Sequence, residues 1–386
     1  MPKRGRVVLL HFVAQMPLAG IAWQALQYLV GLERLGFETW YVENHGANPY
    51  DPRANSVMMD CSYNVAFLKD SIERFGFAGR WAYWDAINDV YHGLSRARVF
   101  DLLKGADALI NLCGATRLRD EHMACPVRLM VDTDPVYEQI KYAKADPGAR
   151  AYLDAHTHFF TYGENVGGPG WIVPLCGIPW QATRPPVVTS LWPETPGAPE
   201  AFTTIATWEN KGKNIEFEGE QYVWSKHVNF LRMLDVPKAA GAAFTMAMLP
   251  PTPEIENQVT AAGWHLTDPR PVSASIDAYG DFIRGSRAEF TVAKDIYVRP
   301  KSGWFSDRSV CYLASGRPVV TMATEFSRFY PVGEGLFEYT DKPGALAAIA
   351  AVNADYARHA RAARRLAEEF FAAERVVGKM MKDAGL

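Results

Sequence analysis

A chain of 386 residues is long for one hydrophobic core, so two domains are expected. With 48% hydrophobic and 22% charged residues and a formal net charge of −3, the composition is that of a soluble globular protein and gives no electrostatic case for nucleic acid. Cys61, Cys113, Cys125, Cys176 and Cys311 are scattered, odd in number and without a CxxC pair; they suggest neither a disulfide framework nor a zinc site, and fit a reducing, cytoplasmic setting.

The basic start through Arg6, followed by the aliphatic run Val7 to Leu10, imitates a secretory leader. His11, Gln15 and Pro17 interrupt it and no small-residue cleavage site follows, so no leader is expected. No stretch approaches the length of an integral membrane segment. Residues 6–13 read as a buried strand, 21–35 as a helix stopped by Gly36, and 37–43 as a second strand ending in Glu43. A dinucleotide fingerprint needs G-x-G-x-x-G in the first loop, and only Gly20 is present.

Ligands of open α/β sheets bind beyond the carboxyl ends of strands, where the pattern places His11, Glu43 and Asp132. Residues 107–112 and 127–131 form the next strands, and the second ends in the carboxylate-dense turn Asp132–Thr133–Asp134–Pro135. Asp132, Asp134 and His11 are the candidates for a general base. Their plainer readings are a helix cap for Asp132, a turn for Asp134 and a core histidine for His11. Asp132–x–Asp134 is also a metal-type pair, but Pro135 fixes a turn beside it, and no metal is expected. His156 and His158 lack a third ligand. The glycine-rich loop 163–170 reads either as a lining of an interdomain cleft, with Glu164 and Asn165 facing a ligand, or as a plain connector.

Six prolines between Gly177 and Glu200 mark an extended linker. The expected domains are residues 1–180, a linker 181–200, residues 201–360, and a closing segment 361–386 packed back on the first domain. In the second domain residues 202–208 form the first strand, and Thr207, Lys211 and Lys213 surround its loop. Residues 222–234 read as a helix, 253–262 as a helix capped by Thr252, 274–286 as another, and a long helix closes the chain from Pro343. Strand–helix alternation argues for a parallel sheet.

The stretch Ser302–Gly303–Trp304–Phe305–Ser306–Asp307–Arg308–Ser309 reads as a glycine-bearing loop and a helix capped by Ser306, stopped by Gly316 before the strand Pro318–Val319–Val320. Such a helix start suits phosphate, with Arg308 as a fork-shaped donor at its mouth; an ordinary crossover over a buried Trp–Phe pair is the plainer reading. The order of loop, polar helix start and A-S-G-R-P-V-V resembles the donor-binding segment of GT-B glycosyltransferases, best over the last hundred or so residues. The paired glutamates of the retaining group-4-like families are missing, since Gly303 and Cys311 stand in their places, while Arg308 matches a group-1-like subset.

The resemblance implies an α/β GT-B fold, two Rossmann-like domains with parallel sheets facing a central cleft. It implies a hexosyltransferase-type enzyme that moves a sugar from a nucleotide-diphosphate sugar to a small-molecule or glycan hydroxyl acceptor, without metal or other cofactor. A nucleotide-sugar 2-epimerase and a non-catalytic nucleotide- or sugar-binding protein are the alternatives, and a homodimer is compatible with either. Donor contacts are expected from Thr207, Lys211, Glu289, Lys294 and Gly303 through Ser309, acceptor contacts from Gly20, Glu43 and Glu164, and the base from Asp132, His11 or Asp134.

Overall fold

The computed structural model describes residues 4–210 and 212–386. Val7, Val8, Leu9 and Leu10 have no exposed surface, as expected for a strand covered on both faces by helices. Arg6–Leu10 pairs in parallel with Glu38–Glu43 on one side and Ala108–Leu112 on the other. The first sheet has eight strands, in the order Trp180–Ala182, His158–Thr161, Val127–Asp132, Ala108–Leu112, Arg6–Leu10, Glu38–Glu43, Trp81–Asp85, Val90–Gly93. All its pairs are parallel except the closing hairpin Trp81–Asp85/Val90–Gly93.

The second sheet has six parallel strands, in the order Trp264–Thr267, Phe244–Ala247, Phe202–Ile205, Ala288–Thr291, Val319–Met322, Leu336–Tyr339. In each sheet the chain order reverses beside the first strand of the domain, and the crevice beyond the carboxyl ends at such a reversal is where α/β proteins bind ligands.

Several expected elements differ in detail. The single long helix from Pro343 is three helices, Lys342–Ala354, Tyr356–Leu366 and Ala373–Asp383. Asp355 leaves the helical region at φ −144° and caps the second of them through Arg358 N, and Ala372 breaks the third at ψ 127°. Tyr222 ends a short hairpin strand, and the helix begins only at His227. Trp264–Thr267 and the hairpin at residues 81–93 were not anticipated.

The proline-rich connection is not a free spacer. Val187, Val188 and Trp192 have no exposed surface, and Trp192 lies 4.5 Å from Trp23 of the helix Ala19–Arg34. Val187 exchanges backbone hydrogen bonds with Phe371 and Ala373, so linker and C-terminal helix pack together. One apolar core runs through Leu26, Tyr28, Trp192, Phe305, Phe326 and Phe371 and joins both domains.

Candidate active site

A cavity of about 690 Å³ lies between the carboxyl ends of the two sheets. Leu18, Gly20 and Ile21 line it from the first domain, at the start of the helix Ala19–Arg34. Leu18 caps that helix without a side-chain acceptor, and although Ile21 N is taken by Leu18 O, the start of the helix and the positive end of its dipole meet the cavity. Ala206, Thr207, Lys226, Lys294 and Arg308 line it from the second domain, and Pro250, Pro251 and Arg270 form its far wall.

Three cations converge there. Arg308 donates from Nε to Glu289 Oε1 (2.6 Å), from one terminal nitrogen to the Ile205 carbonyl (2.7 Å) and from the other to Thr291 Oγ1 (2.9 Å). Three acceptors lock the guanidinium plane and leave two of its five N–H donors over. Glu289 has no exposed surface, so it is the counter-ion beneath Arg308 and not a wall of the cavity. Lys294 donates to Asp134 Oδ1 (2.8 Å) and to Tyr297 OH (2.8 Å), and its ammonium sits 4.0 Å from the centre of the Trp224 ring. Burial opposes the charge on Asp134, but Lys294 and the Tyr297 hydroxyl outweigh it and hold that carboxyl below its usual range.

Lys226 differs from both. Among the described residues its ammonium has no carboxylate or hydrogen-bond partner, and burial, followed by the neighbouring Arg308 charge, pushes it well below the usual lysine range. No motif in the sequence marks it. It stands at the start of the helix His227–Arg232, which Asn229 pins by donating to the Ala293 carbonyl (2.9 Å).

The loop and helix start at residues 302–309 do less for the cavity than their sequence implies; of this stretch only Arg308 lines it. Gly303 has φ +73°, and a Cβ there would fall 2.6 Å from the backbone nitrogen of Asn165. That glycine lets the first domain approach, since Asn165 N donates to Ser302 O (3.0 Å). Trp304 Nε1 donates to Thr133 O across the domains (2.9 Å), and Phe305 stacks on Phe371. Ser306 caps the helix Asp307–Ala314 through Arg308 N, and Ser309 has no exposed surface.

Asp307 turns to the first domain. It accepts from Gln24 Nε2 (2.9 Å) and Tyr162 OH (3.2 Å), and burial raises its carboxyl to about 7. Gln24 Oε1 faces His11 Nε2 (2.9 Å) and accepts from the Cys113 thiol (2.9 Å), which gives the chain His11–Gln24–Asp307–Tyr162–Tyr28. His11 is fully buried, its imidazole lowered to about 4 by that burial, and its Nδ1 has no partner. Asp132 is 4% exposed and accepts from Gln139 Nε2 (2.7 Å) and Thr161 Oγ1 (3.1 Å); burial raises it to about 7.

The expected acceptor residues separate. Gly20 lines the cavity, 3.5 Å from the Tyr279 ring at its Cβ position. Glu43 is wholly buried and accepts from Ala14 N (2.7 Å), Gln15 N (2.6 Å) and Tyr41 OH (2.7 Å), so it shapes the loop after the first strand. Glu164 pairs with Arg184 at 2.5 Å and is raised to about 7 by burial, away from the cavity lining. Lys211 lies outside the described residues; Asn210 beside it lines the cavity.

No helix among the described residues is long and apolar enough to cross a membrane. No protein-family model matches the chain, and no curated protein matches its sequence. Solved structures do match over nearly the whole length. AviGT4, a glycosyltransferase involved in avilamycin A biosynthesis, is 13% identical with a TM-score of 0.54, over 99% of this chain and 97% of that one. An α-glucosyltransferase in complex with UDP and a 13-mer DNA is 9% identical with a TM-score of 0.57, over 100% of both chains. Sucrose-phosphate synthase from Thermosynechococcus elongatus is 12% identical with a TM-score of 0.53, over 98% of both. At these identities the likeness is one of architecture, and the chain has the GT-B fold, two Rossmann-like domains whose parallel sheets face a central cleft.

Proposed function

We propose that this protein is a glycosyltransferase that binds a nucleotide-diphosphate sugar in the cleft and passes the sugar to a hydroxyl acceptor. The observation that carries the reading is Lys226, a cation without a counter-ion, set beside Arg308 and Lys294 at the mouth of the second sheet. Unbalanced positive charge in a partly enclosed cleft favours a polyanion, and the start of the helix Ala19–Arg34 adds the positive end of its dipole, with Ala19 and Gly20 N–H, from the opposite wall. Charge develops on the leaving diphosphate as the glycosidic bond breaks, and fixed cations aimed at it lower the barrier. In this reading Lys226, Arg308 and Lys294 do that work without a metal, and Pro250, Pro251 and Arg270 flank the nucleoside.

Asp307 is the base we favour for the acceptor proton. It is partly exposed, directly precedes Arg308 of the cavity wall in the chain, and burial raises its carboxyl to about 7. Asp132 is more deeply enclosed by Gln139 and Thr161. The structural neighbours named as glycosyltransferases, one of them holding UDP, support the assignment. The free cysteines Cys61, Cys113, Cys125, Cys176 and Cys311 fit a reducing compartment, the cytoplasm in this reading.

The test is a thermal-shift panel of UDP, GDP, ADP, CDP and dTDP, followed by turnover of the corresponding sugar donor with and without an acceptor mixture. Stabilisation by one diphosphate and acceptor-dependent release of it support the proposal. No response to any of them would overturn it, and turnover without an acceptor would move the assignment to an epimerase.

A further inference from the structure

Away from the cleft, Cys61, Asp85 and His92 meet on one face of the edge hairpin. Trp81–Asp85 and Val90–Gly93 pair antiparallel with Tyr83 opposite His92, and Asp85 follows Tyr83 by two residues, so all three side chains share a face. Cys61, at the start of the helix Ser62–Ile72, covers that face. Its sulfur lies 3.5 Å from Asp85 Oδ2 and 3.5 Å from His92 Nε2, and the three ligand atoms all fall within 4.8 Å of one another. Cys61 is 6% and Asp85 2% exposed.

Bond lengths of about 2.3 Å to sulfur and about 2.0–2.1 Å to nitrogen or oxygen, at tetrahedral angles, separate two zinc ligands by about 3.6 Å. Both sulfur distances match that edge. A nucleophilic Cys–His–Asp arrangement would instead place the carboxylate on the far nitrogen of the imidazole. Here Asp85 faces the sulfur, which disfavours a free thiolate, and among the described residues no Lys or Arg takes part in the hydrogen bonds or ion pairs of the three. A second observation points to the same spot. Tyr83, 1% exposed and paired across the hairpin with His92, has a hydroxyl with no hydrogen-bond partner among the described residues, and its ring stacks 6.2 Å from His92.

We propose that Cys61, Asp85 and His92 form a zinc site of three protein ligands, with water as the fourth. Binding replaces the Cys61 S–H bond by a sulfur–zinc bond and releases one proton to solvent. The chain leading to Cys61 carries Tyr50, Pro52 and Asn55, which line the cleft, and Asn64 on the following helix donates to Ala14 O (2.6 Å) and Tyr50 O (2.9 Å). Zinc at Cys61 would fasten this wall of the cleft to the first sheet, and the inference stands whether or not the cleft transfers a sugar.

The test uses the full chain after exhaustive chelation, titrated with Co²⁺ and then Zn²⁺. One equivalent of Co²⁺ is expected to give a thiolate-to-cobalt charge-transfer band with the visible spectrum of a tetrahedral site, displaced by one equivalent of Zn²⁺, and Zn²⁺ should raise the melting temperature. Cys61→Ser should abolish the band. His92→Gln, on the half-buried edge strand, should fold and weaken binding by about 100-fold or more. Absence of a stoichiometric charge-transfer band in the wild type, or its persistence in Cys61→Ser, would overturn the proposal. An unaltered affinity in folded His92→Gln would overturn it as well.

Discussion

Replacing Lys226 by Met separates a ligand-binding cation from a structural one, because the two roles predict opposite signs. In the free protein the Lys226 ammonium lies beside the like charges of Arg308 and Lys294, the carboxylates that it feels, Glu289 and Asp134, are already paired with those two cations, and among the described residues it has no hydrogen-bond acceptor. Its loss therefore leaves the melting temperature unchanged or raises it. With a nucleoside diphosphate bound, the same ammonium makes a charge-assisted hydrogen bond, an interaction worth about 1.5–3 kcal/mol. At about 1.4 kcal/mol per decade, Kd should rise about 10- to 100-fold. Calorimetric titration with the diphosphate that stabilises the wild type measures the affinity, and melting of the free and bound forms measures the two signs. Binding to the wild type should also weaken as pH rises, since the lowered lysine loses its proton earlier than usual and only the protonated form attracts phosphate. A Lys226→Met protein that is destabilised when free but binds the diphosphate with wild-type affinity would refute the reasoning.

Arg308→Ala is a poorer probe of binding. It strands Glu289, which has no exposed surface, and should cost about 3–5 kcal/mol in denaturant unfolding, whereas double replacement with Glu289→Gln should recover part of that loss. Asp307 titrates at about 7 when folded against 3.8 in an unfolded chain, so it favours folding most while protonated. Its contribution is complete below about pH 4 and fades as pH rises through 7, so Asp307→Asn should flatten the fall of melting temperature over that window, a fall shared with Asp132 and Glu164. As the base, Asp307 works deprotonated; kcat/KM should climb as pH passes 7 in the wild type, and retention of that climb by Asp307→Asn would reassign the base. Gly303→Ala forces a side chain into φ +73° and against Asn165 N, at a cost of about 1–3 kcal/mol or more; a denaturation midpoint equal to wild type would contradict the interdomain role of this glycine.

The alternation of buried aliphatic runs with helical patterns made the two parallel sheets legible, because a strand covered on both faces must be apolar along its length. Ser306 as a cap and Gly316 as a stop were legible for the same local reason, each answering an unpaired backbone group or a left-handed turn. What the stretch at residues 302–309 faces was not. Gly303 and Trp304 are spent on Asn165 and Thr133, contacts set by how the domains meet, which no local pattern records. Lys226 carries no motif because its meaning lies in an absence, the missing counter-ion, and that is visible only once Glu289 and Asp134 are seen to be taken by Arg308 and Lys294. Glu43 looked like a ligand-facing strand end. Its oxygens turn inward instead, to backbone N–H groups that the bend after the first strand leaves unpaired. Residues 44–106 offered short, irregular apolar runs, so neither the edge hairpin nor the meeting of Cys61 with His92 could be anticipated.

The helix Ala373–Asp383 lies on the helix Ala19–Arg34, where a Cβ on Gly31 would sit 3.0 Å from that of Ala373, and it buries Val377, Met380 and Met381. During biosynthesis the first domain therefore leaves the ribosome with this face uncovered and stays so until the whole second domain has been made. A message truncated after Leu366 would not yield a shorter working protein, but one with a permanently sticky flank, destined for chaperones or proteolysis.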